Sequence, residues 1–254
     1  MLKKRIIPVQ LLLDGRLVKT KRFGDWRDVG DPVKSSAVYN SQYADELIFL
    51  NISRSNRTVE DLRPLIEAVS KVSFMPMAMG GGITTAEDAA FLILHGADKV
   101  VINSVTYRRP HVIMETAERF GAQAVVVCVD ARYDEIKGRY ELYSDCGWRH
   151  EHVSLEQHVS SCEQAGAGEI MIQSIDRDGM MNGFDVGLTQ RVMDCTGLPV
   201  IAAGGSGNYE HLRQVFVETG VSAVACGSLF NFSDSNPLRA KAFLSNYDLH
   251  FKVV

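Results

Sequence analysis

The stretch Ala124-Val125-Val126-Val127-Cys128-Val129-Asp130 decides how the chain is read. It is an apolar run closed by one carboxylate. A continuous run of β-branched residues between turn signals marks a strand buried on both faces, as in a parallel sheet. A carboxylate at the C-terminal end of such a strand stands where a (β/α)8 barrel keeps its chemistry. A second copy of the run lies near the start of the chain, Ile6-Ile7-Pro8-Val9-Gln10-Leu11. There leucine stands in the place of the aspartate.

Outward from these two runs, short apolar stretches alternate with amphipathic ones. The expected strands cover residues 5–12, 46–52, 74–79, 99–102, 123–130, 169–174, 199–203 and 223–227. Helical patterns lie between them, for instance over 33–43, 59–72 and 84–95. The last starts at Thr84 with Glu87 three residues on, a capping-box spacing, and Gly96 and Gly166 fall where helices end. Alternating strands and helices give βα units with parallel pairing. The chain of 254 residues is close to the roughly 250 typical of one barrel. A doubly wound open sheet is the competing arrangement.

An internal repeat favours the barrel. Met79-Gly80-Gly81-Gly82 matches Ala203-Gly204-Gly205-Ser206, and the segment from Gly96 to Ser104 matches the one from Gly220 to Ser228. Both pairs share an offset of 124 positions, Gly80 to Gly204 and Gly96 to Gly220. The expected fold is therefore α/β, a single (β/α)8 TIM barrel in one domain over 1–254, built from two similar half-barrels of about 1–122 and 123–254.

Composition narrows the function. The formal net charge is −4, and no block of like charges points to nucleic acid or an anionic membrane. The basic start is broken by Pro8, Gln10 and Asp14, unlike a signal peptide. No apolar stretch is long enough to span a bilayer. The five cysteines are scattered, which fits buried free thiols in a cytoplasmic protein.

Each half carries a glycine-rich turn after its third strand and a small-residue turn after its fourth. The first pair is Gly80-Gly81-Gly82 with Asn103-Ser104; the second is Gly204-Gly205-Ser206-Gly207 with Gly227-Ser228. Glycines let backbone N–H groups approach a phosphate, and a helix N-terminus adds a favourable dipole. The alternative is that they only make tight βα turns. Two pairs at one offset imply two phosphate sites on opposite sides of the mouth, at Gly81, Gly82, Asn103 and Ser104 and at Gly204, Gly205, Gly227 and Ser228. The ligand would be a small molecule with a phosphate at each end. Asp130 lies between the two sites, placed to act as general acid or base. Asp176 and Asp178 close strand six, either at the mouth or in an Asx turn before Gly179. The first-half counterpart at that strand end is Asn51. Cys146, His150 and His152 are the start of a zinc set, but two further ligands at proper spacing are absent, so neither a metal nor a cofactor is expected.

Beyond these features, the sequence resembles the HisF family, the cyclase subunit of imidazole glycerol phosphate synthase. The resemblance is carried by Lys4-Arg5-Ile6-Ile7-Pro8, Asp14-Gly15-Arg16-Leu17-Val18-Lys19, Gly30-Asp31-Pro32, Gly80-Gly81-Gly82-Ile83, Gly96-Ala97-Asp98-Lys99-Val100, Gly166-Ala167-Gly168-Glu169-Ile170 and Ser174-Ile175-Asp176-Arg177-Asp178-Gly179, together with segments 45–50 and 123–127. It runs over nearly the whole chain. It implies a cyclising lyase, a half-barrel duplication with two phosphate sites, and a glutaminase partner, HisH, on the N-terminal face of the barrel. Ammonia from glutamine would pass through the barrel. The family's charged ring at the tunnel entrance falls on Arg5, Glu46, Lys99 and Glu169, and its partner interface on Asp98 and Gln123.

The family's two catalytic aspartates end strands one and five. The second falls on Asp130, the first on Leu11, and the strand-two aspartate falls on Asn51. The internal repeat makes the same point, since Leu11 is the counterpart of Asp130. HisF-like paralogues associated with surface-polysaccharide sugar biosynthesis resemble this opening more closely. There the paired subunits supply ammonia to a separate sugar amidotransferase. The resemblance therefore implies an ammonia-conducting synthase subunit with altered acceptor chemistry. The alternatives are a working cyclase of histidine biosynthesis, with Asp14 or Asp176 replacing the missing carboxylate, and a bisphosphate-binding activator of the glutaminase.

Overall fold

The computed structural model describes residues 3–53 and 58–252; Met1 and Leu2 lie outside them. Eight strands follow in order: β1 Arg5–Leu13, β2 Leu47–Asn51, β3 Met77–Gly80, β4 Lys99–Ile102, β5 Val125–Asp134, β6 Glu169–Ser174, β7 Val200–Ala203 and β8 Ala223–Cys226. Each pairs in parallel with the next. Arg5 of β1 lies opposite Ala223 of β8, which closes the sheet. The result is a (β/α)8 barrel, as expected.

The pleat sorts the side chains. Val125, Val127 and Val129 point outward under the helices, while Val126 and Cys128 point into the barrel. By the same period of two, Asp130 faces inward at the end of β5. In β1 Ile6 and Leu12 pack outward and Ile7 and Val9 inward, so Arg5 and Leu11 share the inner face. They are six positions apart, about 20 Å along a strand. Arg5 stands at the floor and Leu11 at the mouth. Between the two ends the interior is filled by Ile7, Ile48, Ala78, Val101, Val126, Met171, Ile201, Ala223 and Ala225.

Helices cover the outside. Those over Pro32–Ser41, Arg63–Val69, Ala86–Leu94 and His111–Phe120 belong to the first four strands; Leu155–Gln164, Val186–Met193, Tyr209–Thr219 and Pro237–Leu244 belong to the last four. The capping box is shifted by one residue from the expected one. Thr85 accepts from Asp88 N, and Asp88 accepts from Thr85 N. Strand three starts at Met77, not at residue 74: Phe74 is 87 % exposed and Pro76 has no N–H for the ladder. Strand five is preceded by a 3-10 turn over Ala122–Ala124, after Gly121 turns the chain at φ 86.

Two antiparallel hairpins were not legible as such. After β1, Arg16–Thr20 pairs with Trp26–Gly30. After β5, Arg139–Ser144 pairs with both β5 and Arg149–Glu151. The same decoration thus follows the first strand of each four-strand half, an element-level counterpart of the sequence repeat. Among the described residues no helix is long and apolar enough to cross a membrane.

Candidate active site

The mouth holds a cavity of about 1080 Å³. Its wall includes Asp130, Asp178, Gly81, Gly82, Asn103, Ser104, Gly204, Gly205, Gly227 and Ser228, together with Leu11. Asp130, Asp178 and the residues expected to bind a phosphate therefore line one space. Apolar side chains line it too: Val9, Leu11, Leu13, Leu50, Val101 and Met171.

Asp130 is 5 % exposed. Asn103 Nδ2 donates to its Oδ2 at 2.8 Å, and the Cys128 thiol donates to its Oδ1 at 3.6 Å. Burial pushes its pKa up to about 7; these two hydrogen bonds pull down, and the nearby Asp178 pushes further up. A carboxyl that titrates near neutrality can give a proton as readily as take one. Asn103 was expected to serve a phosphate. Its side-chain amide also donates to Asp130.

Asp178 lies in the turn after β6 and lines the same cavity. It accepts from Thr20 Oγ1 at 2.7 Å and from Phe23 N at 3.2 Å, which ties the first hairpin to the turn after β6. Burial holds its pKa above the usual carboxylate range, against those hydrogen bonds and Lys19. Asp176 lies elsewhere: it accepts from Tyr133 N at 2.9 Å and is not among the cavity-lining residues. Asp14 lines the rim, in the tight turn after β1.

Lys19 was missed as a site residue. It is 4 % exposed, its Nζ donates to Val9 O on β1, and it lines the cavity beside Gly227. Burial lowers its pKa to about 8, opposed by Asp178 and Cys226. No local pattern marks it, since Lys19 stands among other cations, Arg16, Lys21 and Arg22. Strand one therefore brings leucine to the mouth, and the hairpin behind it brings a titratable amine. Arg108 and Arg109 also line the mouth and were not singled out.

The glycine turns adopt left-handed backbone. Gly81 and Gly82 have φ 92 and 87, Gly204 and Gly205 φ 88 and 106. They also answer a packing need: a Cβ on Gly81 would lie 2.1 Å from Asn51 O, and one on Gly205 2.1 Å from Gly183 O. β3 and β4 lie diametrically opposite β7 and β8, so the two turn pairs face each other across the cavity. Ser104 Oγ accepts from Asp145 N at 3.0 Å, and Arg108 pairs with Asp145, which pins the tip of the second hairpin over the first pair. Among the described residues no three His, Cys, Asp or Glu side chains gather to hold a metal. His150 instead pairs with Glu141 at 2.6 Å.

At the floor, the four expected charges meet. Arg5 binds Glu46 at 2.9 Å and also Glu169; Lys99 binds Glu46 at 3.0 Å and Glu169 at 3.2 Å. Two carboxylates and two cations close a ring across β1, β2, β4 and β6. Burial works against the Arg5 charge, but Glu169 and Glu46 more than offset it and hold its pKa above the ordinary value. Asp98, which accepts from Met77 N at 2.8 Å, and Gln123 are exposed on the same face of the barrel.

Comparison with known proteins agrees with this arrangement. The histidine biosynthesis protein family matches residues 5–236. The imidazole glycerol phosphate synthase subunit HisF of Staphylococcus carnosus (strain TM300) is 38 % identical over 246 residues, 97 % of each chain. With a closed barrel, two facing glycine turn pairs and a complete charged floor, the chain belongs to the HisF family of histidine biosynthesis proteins.

Proposed function

We propose that the chain is the synthase subunit of a glutamine amidotransferase, fed with ammonia through the barrel by a HisH-like glutaminase docked on the face that bears Asp98 and Gln123. The acceptor chemistry differs from that of an ordinary cyclase. Ammonia, or an aminated phosphorylated ligand, passes to a further protein that amidates a surface-polysaccharide sugar. One observation carries this reading: each charge of the floor ring of Arg5, Glu46, Lys99 and Glu169 has two partners of opposite sign, while the β1 end of the mouth presents Leu11. A two-group acid–base mechanism that lacks one group typically loses about 10²–10⁴ in rate.

A second reading is favoured by Lys19 and by the likeness to a HisF subunit. An amine that titrates at about 8 faces the same cavity as Asp130. The pair could serve a working imidazole glycerol phosphate synthase, with Lys19 in the place of the missing carboxylate. In the first reading the bisphosphate sites hold the acceptor or an activating ligand; in the second they hold the ribulosyl substrate.

An assay with excess ammonium ion in place of the partner separates the two. The disappearance of the HisF ribulosyl substrate is followed. Under the first reading turnover is at least about 10²-fold below ordinary cyclase rates, and Leu11→Asp raises it at least tenfold. Ordinary turnover by the native chain overturns it and assigns the protein to histidine biosynthesis.

A further inference from the structure

Two buried polar atoms near Asp130 have no hydrogen-bond partner among the described residues: Asn103 Oδ1 and Tyr107 Oη. Both side chains leave one short segment, since Asn103 precedes the 3-10 turn Ser104–Tyr107 at the end of β4. The Asn103 amide has a set direction. Its Nδ2 donates to Asp130 Oδ2, and its oxygen is left facing away. Turned over, the same carboxamide would set oxygen against a carboxylate. The orientation needs a donor that engages Oδ1. A buried polar atom without a partner is costly, and an ordered water is the usual remedy.

Tyr107 is itself held in place. Its ring stacks on His158 with centroids 3.9 Å apart and planes 9° from parallel. His158 Nε2 lies 3.3 Å from Thr106 Oγ1 and 3.6 Å from Cys162 Sγ. Thr106 Oγ1 donates to Asn103 O at 2.7 Å. Burial, and after it the charges of Asp130, Cys162, Cys128 and Glu151, hold the phenol well above its ordinary pKa, so it stays a donor; Asp178 acts on Asp130 in turn and Lys19 on Asp178. His158 stays neutral, since burial lowers its pKa to about 4. A water that accepts from Tyr107 Oη and donates to Asn103 Oδ1 satisfies both orphaned atoms.

We propose that Tyr107 is a positioning residue: through one buried water its hydroxyl fixes the Asn103 carboxamide so that the N–H, and not the oxygen, faces Asp130. Its functional weight rests on the reading of Asp130 as the proton carrier of the mouth. The Asn103 N–H favours ionised Asp130, so its loss moves the carboxyl toward the protonated form.

The test is a titration of Asp130 in the intact protein, with ¹³C-labelled aspartate followed by NMR and Asp130→Asn used to assign the signal. Tyr107→Phe keeps the stack on His158 and removes only the oxygen. The midpoint is expected to move upward from about 7 by about one pH unit. Asn103→Ala should move it at least as far, and the double variant no further than Asn103→Ala alone. An unmoved midpoint in Tyr107→Phe overturns the proposal, and so do additive shifts in the double variant. A high-resolution crystal structure of the native chain gives a second check if a variant fails to fold: no water between the two atoms refutes the bridge. If Asp130→Asn leaves turnover intact, the acid–base reading of the mouth fails, and the titration still decides the role of Tyr107.

Discussion

At the floor of the barrel Arg5, Glu46, Lys99 and Glu169 neutralise one another in a closed ring. At the mouth Asp130, Asp178 and Lys19 are buried without such pairing, and their pKa values move toward the uncharged form. The same strand, β1, brings Arg5 to one end and Leu11 to the other. A charge inside a barrel is costly unless it is paired. Pairing at the floor sets each of four groups against two partners of opposite sign, which suits a fixed polar ring. Isolation at the mouth leaves groups poised to exchange protons, which suits chemistry. The difference teaches where each function resides. Under the function proposed, passage of ammonia rests on the paired ring, whereas acceptor chemistry rests on single groups, one of which leucine at position 11 leaves out.

The largest effect expected on stability is at Asp130. Its carboxyl titrates at about 7 in the folded protein against an ordinary 3.8. Between those values the folded protein holds a proton that the unfolded chain has released. Stability therefore falls as pH rises through the window from about 4 to 7. Asp130→Asn removes the fall. The variant should match the native chain near pH 4 and exceed it at pH 8 by up to about 4 kcal/mol, read by urea denaturation at both pH values. An equal gap at both would mean that burial of this carboxyl is not what isolates it.

Arg5→Ala tests the other end. It leaves Glu46 and Glu169, 2 % and 6 % exposed, with Lys99 as their shared cation. Breaking a buried ion pair from one side costs about 3 kcal/mol. With the glutaminase bound, glutamine hydrolysis should continue while the ammonia it yields escapes to solvent, measured as free ammonium ion per glutamine consumed. Unchanged coupling would mean that the ring is structural and not a gate.

How far the sequence revealed this follows from what each part depends on. The barrel was legible because fully buried parallel strands leave continuous apolar runs, and its duplication because glycine turns recur at one offset. Asp130 was legible as the polar end of such a run. The ring was legible only through family likeness, since Arg5, Glu46, Lys99 and Glu169 are far apart in the chain and no local pattern links them. The two hairpins were not legible. Trp26–Gly30 is exposed along most of its length, so it lacks the alternation that marks a strand. Lys19 was overlooked because its role comes from the hairpin folding back over Val9. Asn103 was read by its type and position in a turn, and only the fold shows that its amide faces Asp130.

The smallest effect argued here concerns how the mouth is roofed. The tips of the two hairpins meet at Phe23 and Gly147. Gly147 has φ 80 and a Cβ there would lie 2.9 Å from Phe23 Cδ2, so Gly147→Ala both strains the backbone and displaces the ring. The cost is about 1–2 kcal/mol, less than at either Asp130 or Arg5. The first hairpin keeps its other fastening, Phe23 N and Thr20 Oγ1 on Asp178. Hydrogen exchange at the Phe23 amide separates the two. If the tips hold the roof together, protection at Phe23 falls about tenfold or more in Gly147→Ala, as 1.4 kcal/mol corresponds to a factor of ten. If Asp178 alone holds it, protection stays unchanged although global stability drops. The floor offers no such choice, because every member of its ring has two partners and none is a side-chain ring free to move.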